Sequence, residues 1–241
     1  MDGTDVMSSY WRGVRNALPF LFVVGPFGML FGVVATDAGL NIFETLMFSI
    51  VVIAGAAQFT AVQLMQDNAP TIVVLVSAMA VNLRMAMYSA SITPHLGPLP
   101  LWKRMFVAYF LVDQVYAASI IDYEERPQQS LTEKFAFFMG VATPICPPWY
   151  LFTLVGAWAG EAVPPELGLD FVLPIAFIAL FAPALRTGAH RAAALVAALM
   201  ALAFAFLPYN LGLIVGAVAG MMAGAEIERR AGMQADRRPG A

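Results

Sequence analysis

Long apolar runs separated by short polar stretches make up most of this chain. Eight such runs are candidates for membrane segments, and they cover residues 17–35, 42–65, 71–92, 105–121, 135–158, 171–185, 192–207 and 211–225. An apolar run of about 20 residues is long enough to cross the hydrocarbon core of a bilayer as a helix. The pattern therefore predicts an all-α polytopic integral membrane protein with about six to eight transmembrane segments.

Both ends of the chain are polar. Residues 1–16 form a short arm that carries Trp11, Arg12 and Arg15, and residues 226–241 form a tail with four arginines. Basic residues beside membrane segments favour the cytoplasmic side. We therefore expect a single transmembrane domain over residues 17–225 in the inner (plasma) membrane, with both termini cytoplasmic and a mobile C-terminal tail.

The composition agrees with this interpretation. Of the 241 residues, 60% are hydrophobic and 12% are charged, whereas soluble domains contain about 25% charged residues. Because most of the surface then faces the lipid bilayer, the net charge of −3 gives no reason to expect a nucleic-acid partner. The single cysteine, Cys146, excludes an internal disulfide, and the two histidines lie near segment ends. We expect no metal and no cofactor.

One arginine, Arg84, interrupts the apolar run of residues 71–92. A cation near the bilayer midplane costs at least ~2.5 kcal/mol, so it is expected to face the protein interior or a wet cavity. Asn82 and Tyr88 supply hydrogen-bonding groups, and Tyr88 lies four residues further along the same helical face. The alternative is that Arg84 lies near a segment end and extends to the lipid headgroups. We favour a functional role.

Two more polar residues lie within apolar runs. Asp113 is the natural counter-charge for Arg84, because pairing lowers the desolvation cost of both charges. Asp113 is equally compatible with a proton-carrying role. Gln58 follows several small residues and must find a partner or line a cavity, although an amide can also serve as an interhelical hydrogen bond. The candidate substrate-binding residues are Gln58, Asn82, Arg84, Tyr88 and Asp113.

Residues that interrupt helices occur in three of the runs. These are Gly25, Pro26, Gly55, Pro144 and Pro147. Proline removes a helical hydrogen bond, and broken helices persist in lipid only where the freed backbone groups are buried in protein or face a cavity. We therefore expect a kink or break at Gly25 and Pro26, and broken or re-entrant segments elsewhere, with the break residues lining a cavity.

Segment counting supports such breaks. Simple alternation would place Lys103 and Arg104 outside, against the positive-inside rule. If residues 42–92 make one net crossing with a half-helix and residues 135–158 are re-entrant, every basic cluster lies in the cytoplasm. Similar stretches at residues 39–48 and 168–177, G-L-N-I-F-E-T-L-M-F and G-L-D-F-V-L-P-I-A-F, also suggest an internal repeat.

Glycines recur at every fourth position of the last run. They are Gly212, Gly216, Gly220 and Gly224. Such a face allows another helix to approach closely. Packing within the chain is one explanation, and packing against a helix of a partner subunit is the other, which we favour.

Four stretches resemble one known family. They are F-G-V-V-A-T-D-A-G-L at residues 31–40, A-G-A-A-Q-F at 54–59, N-L-R-M-A-M-Y-S-A-S-I-T-P at 82–94 and D-Q-V-Y-A at 113–117. This order is similar to that of the AzlC (YgaZ-like) family of branched-chain amino-acid permeases. The resemblance implies ion-coupled export of branched-chain amino acids together with a small AzlD-like membrane subunit.

The chemistry of the residues fits a small apolar amino acid as substrate. A zwitterion needs a cation for its carboxylate, acceptors for its ammonium group and an apolar pocket for its side chain. Arg84, Asp113 with Gln58, and the many Phe and Met residues supply these groups. Two alternatives remain open: a non-transporting membrane scaffold subunit, and an intramembrane enzyme. The second is weakened because no nucleophile or metal motif occurs.

Overall fold

The computed structural model describes residues 3–160, 185, 187–207 and 211–236, with side chains over 5–160, 185, 187–207 and 211–230. All regular structure in these ranges is helical, which confirms the predicted class. The helices are α1 (Gly3–Ala17), a 3-10 turn (Leu18–Phe20), α2 (Leu21–Asp37), α3 (Ile42–Val51), α4 (Gly55–Gln66), α5 (Thr71–Leu96), α6 (Leu101–Tyr109), α7 (Asp113–Glu125), α8 (Leu131–Ala142), α9 (Cys146–Gly160), α10 (Gly188–Ala203) and α11 (Leu211–Asp236). The chain divides into two compact units, of which the first holds α1 to α9 and the second holds α10 and α11.

Three helical stretches of the first unit are long and apolar enough to cross a membrane. They are Asp5–Asp37, Thr71–Leu96 and Leu131–Gly160, and Leu211–Arg230 in the second unit also qualifies. The shorter helices α3, α4, α6 and α7 each contain between 9 and 13 residues. At 1.5 Å per residue, each covers only about half of the ~30 Å hydrocarbon core.

Helices α2 and α9 run parallel in close contact. Gly25 faces the ring of Phe152, and Gly160 lies beside Thr36, so the contacts advance in the same direction along both helices. Between these points, a Cβ atom on Gly32 would collide with the backbone of α9. Small residues thus bring the two backbones together, which is the usual way that helices pack in lipid.

Helices α3 and α4 form a hairpin that enters the first unit from the end where α2 finishes. The ring of Phe31 in α2 contacts Phe48 of α3 at 5.9 Å and Phe59 of α4 at 5.4 Å between centroids. In addition, Gln58 Nε2 donates a hydrogen bond to Ser49 Oγ at 3.0 Å. Because both arms lie at the same level of α2, α4 returns toward the end at which α3 began.

Helices α6 and α7 form a second hairpin, which enters from the opposite end. Near the middle of α5, Arg84 pairs with Asp113 at the start of α7, and near the end of α5, the ring of His95 lies 5.1 Å from that of Tyr123. The contacts advance in the same direction, so α5 and α7 are parallel. Helix α6, which connects them, must therefore run back from the end of α5 into the interior.

Basic residues gather at one end of the first unit, which we call the basic end. Helices α5 and α7 end there, and α8 begins there. Lys103 Nζ lies 4.9 Å from the centroid of the Phe135 ring, and Arg12 pairs with Asp122 near the end of α7. Apart from Arg84, the lysines and arginines described in this unit lie at the basic end: Arg12, Arg15, Lys103, Arg104, Arg126 and Lys134.

The sequence-based description of the segments is right for the second run and wrong for the fourth. Residues 42–65 form the α3–α4 hairpin, so the second and third runs together make one crossing, as predicted. Residues 105–121, predicted to cross once, belong instead to the re-entrant α6–α7 hairpin. No proline or glycine marks this break. The chain is held there by a local bond from Val112 N to Phe110 O.

Two predicted interruptions also differ from the structure. Helix α2 is continuous from Leu21 to Asp37, with Gly25 and Pro26 inside it, so the predicted break is absent. The fifth run bends at residues 143–145 and then continues beside α2, so it is broken but not re-entrant. Its prolines cause little disruption because Pro147 lies in the first turn of α9, where a missing N–H is tolerated.

The second unit is a tight pair of antiparallel helices. A Cβ on Gly212 would collide with the backbone near Phe204, whereas Gly224 faces the Cβ of Ala193. Between these points, Gly216 and Gly220 also face α10. The glycine face thus packs against a face of alanines in the same chain. The favoured prediction, that it packs against a helix of a partner subunit, is wrong for these glycines. The run 171–184 and the repeat stretch 168–177 lie outside the described residues.

Candidate functional site

An ion pair lies in the middle of the membrane-spanning helix α5. Arg84 stands near the centre of its 26 residues, and its Nη2 lies 3.0 Å from Asp113 Oδ2. More than ten residues of helix follow Arg84 before Leu96, so the guanidinium is not near a segment end. The structure thus joins the two opposite charges that the sequence places within apolar runs.

Asp113 is the first residue of α7 and follows the break after α6. The preceding residue, Val112, has an extended backbone and provides no side-chain cap. The N-terminus of a helix carries a partial positive charge from its unpaired N–H groups. This half-helix end therefore stabilises the Asp113 carboxylate and any other anion that approaches it.

The ion pair leaves polar atoms unused. Arg84 Nε and Asp113 Oδ1 are both buried without a hydrogen-bond partner among the described residues. The two side chains are nevertheless 34% and 38% exposed, so the pair can be approached from one side. Buried polar atoms are nearly always paired, and a buried orphan calls for an explanation such as a bound ligand. Here one donor and one acceptor of the same ion pair have no partner among the described residues.

Two tyrosines form a wall next to the pair. Tyr88 and Tyr116 stack with their ring centroids 4.2 Å apart, and Tyr88 lies near the Asp113 carboxylate. The Tyr116 hydroxyl donates to Ser91 Oγ at 2.9 Å, which fixes this ring on α5. The stack offers a flat apolar surface beside two charges. Tyr116 was not among the predicted site residues, although it lies three positions after Asp113, on the same helical face.

Asn82 does not join this group. Its Oδ1 is buried without a partner, and no hydrogen bond links it to Arg84 or Asp113 in the described part of the chain. Two residues apart on a helix, Asn82 and Arg84 point in very different directions. The structure therefore separates Asn82 from the ion pair.

Gln58 belongs to a second polar group, between α3, α4 and α9. It is fully buried, and it donates to Ser49 Oγ, which lies 3.2 Å from Thr153 Oγ1. Gln58 Oε1 and, in α9, Trp149 Nε1 have no partner among the described residues. None of these bonds reaches Arg84 or Asp113. Gln58 thus joins the two arms of the first hairpin, and Ser49 in turn contacts α9. Ser49 and Thr153 are partners that the sequence pattern did not reveal.

The two hairpins meet through Tyr109 at the tip of α6. Its hydroxyl donates to the Ile50 carbonyl of α3 at 2.6 Å and lies 2.8 Å from the Tyr150 hydroxyl of α9. The carbonyls at the end of a helix have no partner within it. Tyr109 supplies one, which explains how α3 can end inside the membrane. The hydropathy pattern gives no signal for this contact.

The predicted break residues contact other helices. Gly25 faces Phe152, and Gly55, at the start of α4, lies against the ring of Trp149. Pro144 is buried in the bend between α8 and α9, whereas Pro147 is exposed. The two glycines therefore allow close helix packing. Within the described residues, no group of three or more His, Cys, Asp or Glu side chains is placed to hold a metal ion.

Comparison with known proteins yields one family. The family model described as AzlC protein matches residues 19–163. The inner membrane protein YgaZ of Escherichia coli (strain K12) is 25% identical over 177 residues, which is 71% of each chain. An uncharacterized membrane protein of Archaeoglobus fulgidus is 27% identical over 229 residues, 91% of this chain and 96% of its own. No solved structure matches.

Proposed function

Because this chain belongs to the AzlC family of membrane-transport proteins, we propose that it is a secondary transporter that exports branched-chain or similar apolar amino acids. In this proposal it works in the inner membrane with a small AzlD-like subunit. Both termini and the basic end face the cytoplasm, because basic residues are retained on that side. The observation that carries the proposal is the Arg84–Asp113 pair with its unused atoms.

The pair matches the polar part of an amino acid. Arg84 Nε is a free donor for a carboxylate, and Asp113 Oδ1 is a free acceptor for an ammonium group. The positive end of α7 adds a favourable field for the carboxylate. A neutral apolar solute would use neither charge, and a simple ion would use only one.

The surroundings suit an apolar side chain. The stacked rings of Tyr88 and Tyr116 lie beside the charges. A short branched side chain would gain about 0.8 kcal/mol for each CH₂ group buried there. Polar side chains would gain no such contact, so we expect leucine, valine and isoleucine to be preferred.

Two hairpins that enter from opposite ends favour transport over a static role. Discontinuous helices with ends near the midplane are a common way to build a substrate site in secondary transporters. In the described part of the chain, both α4 and α7 begin at such a position, close to Gln58 and Asp113 respectively. Each side of the membrane thus has its own half-helices leading toward the centre.

Flux through proteoliposomes tests the proposal. The chain is reconstituted with and without the small subunit, and uptake or release of labelled leucine, valine and lysine is followed. We expect transport of the two apolar substrates, and its loss in Asp113→Asn and in Arg84→Lys. Lys103→Gln, which removes a cation at the basic end, is the matched control and should remain active.

A scaffold role is the second candidate, and α5 gives it a specific basis. Met79, Leu83 and Met87 are each about two-thirds exposed or more, so one face of α5 is free to contact another protein. A scaffold would bind the small subunit but show no substrate flux in any combination. That result, with correct assembly, would overturn the transport proposal.

A further inference from the structure

We propose that a cavity at the basic end binds the headgroup phosphate of an anionic phospholipid. The cavity has a volume of about 550 Å³ and lies between α1 and the end of α7. Its polar wall is formed by Arg12, Arg15, Asn16 and Arg126. A phosphodiester with the first carbons of its glycerol fits within this volume.

The position of the cavity corresponds to the lipid headgroup region. Its polar wall continues into apolar side chains, with Pro19 and Phe20 on one side and Ile121 on the other. Trp11, one turn earlier on α1, is 53% exposed, as expected for an aromatic residue at the interface. The charged groups thus face the headgroups, while Phe20 and Ile121 face the start of the acyl chains.

The charge balance leaves room for an anion. Asp122 is almost fully buried and accepts bonds from Arg12 Nε and Nη2 at 3.1 Å, from Arg126 Nη1 at 2.7 Å and from Gln129 Nε2 at 2.7 Å. This carboxylate therefore neutralises one of two guanidinium groups. The third, Arg15, makes no ion pair or hydrogen bond with any residue that the structure describes.

Another carboxylate, Glu125, also lines the cavity. Glu125 is exposed, and it forms no ion pair with an arginine in the part of the chain that the structure describes. With Glu125 included, the lining has three guanidinium groups and two carboxylates. The excess positive charge lies with Arg15 and the Arg12–Arg126 pair. Asp122 holds the guanidinium groups of Arg12 and Arg126 in place, so these two are ordered before a phosphate arrives. An arginine can offer the phosphate two parallel N–H donors.

Lipid binding to the full-length chain tests the proposal. The purified protein is titrated with phosphatidylglycerol and with phosphatidylcholine of the same acyl chains, and bound lipids are counted by native mass spectrometry. We expect tighter binding of phosphatidylglycerol. Each basic residue near an anionic surface contributes about 1 kcal/mol, so Arg15→Gln should weaken that binding about fivefold and leave phosphatidylcholine unchanged.

Two controls distinguish this site from general attraction and from misfolding. Lys103→Gln removes a cation from the same end but outside the cavity, and should have little effect. Because Arg15 is exposed without a described partner, its variant should unfold at the wild-type temperature in the absence of lipid. Equal affinity for both lipids, or unchanged binding in Arg15→Gln, would overturn the proposal. Competition by millimolar inorganic phosphate would instead identify a site for soluble anions, which also contradicts it.

Discussion

The Arg84–Asp113 pair can be tested as a structural contact separately from its role in transport. Asp113→Asn leaves a guanidinium in the middle of the membrane without a counter-charge. Breaking a fully buried pair costs about 3–5 kcal/mol, whereas an exposed pair contributes about 0–1 kcal/mol. Since the two side chains are 34% and 38% exposed, we expect an intermediate loss of about 2 kcal/mol.

Replacing Arg84 should lower the free energy of unfolding less than replacing Asp113. In Arg84→Gln, the carboxylate of Asp113 remains at the positive end of α7, and such a position is worth about 0.3–1 kcal/mol to an anion. We therefore expect a loss of about 1 kcal/mol. The double variant contains no uncompensated charge and should be more stable than Asp113→Asn alone. A positive coupling energy between the two positions would follow.

Thermal unfolding in nanodiscs measures these differences. For a chain of this size, 1 kcal/mol corresponds to about 2–4 °C in Tm, so Asp113→Asn should lower Tm by about 4–8 °C. Asp37→Asn is the control, since Asp37 is an exposed carboxylate near the opposite end of the unit. The double variant should recover stability and remain inactive in transport. If the two losses simply add, the charges do not interact and the site as described is wrong.

Three further predictions address packing, the second polar group and topology. Gly156→Ala places a Cβ against the backbone of α2 and should cost about 1–3 kcal/mol in unfolding free energy, whereas Gly188→Ala, at a position with open space, should not. Ser49→Ala removes the acceptor of the fully buried Gln58 amide and should cost about 1–3 kcal/mol, measured by the same unfolding assay. A cysteine at Lys103 should react with impermeant maleimide only from the cytoplasmic side in oriented vesicles, and labelling from outside would contradict the proposed orientation.

Much of the charged site could be inferred from sequence because membrane physics leaves few options. Arg84 and Asp113 lie far from the polar stretches, and opposite charges in lipid are expected to pair. The spacing of Gly212 to Gly224 likewise indicated close helix packing. Its partner could also have been found, because Ala193, Ala197 and Ala201 repeat at the same interval in the preceding run.

Other features of the fold cannot be recognised from the local amino-acid sequence. The break between α6 and α7 contains neither proline nor glycine, and it depends on a contact made by Tyr109 with a carbonyl 59 positions earlier. Conversely, Pro26 suggests a break that the packing of α2 against α9 prevents. In both cases tertiary contacts decide where a helix ends, and such contacts cannot be derived from apolar runs alone.

The close fit between α2 and α9 restricts how this unit can move. Where a glycine of one helix lies against the backbone of the other, as at Gly32 and Gly156, a small slide drives backbone into backbone. Packed helices can slide past each other in small steps where side chains separate their backbones, but no side chains separate this pair at the two glycines. The two helices therefore stay fixed relative to each other. Any gradual motion during a functional cycle is made by the two hairpins. Hydrogen exchange should show this directly, with slow amides along α2 and α9 and faster ones along α6.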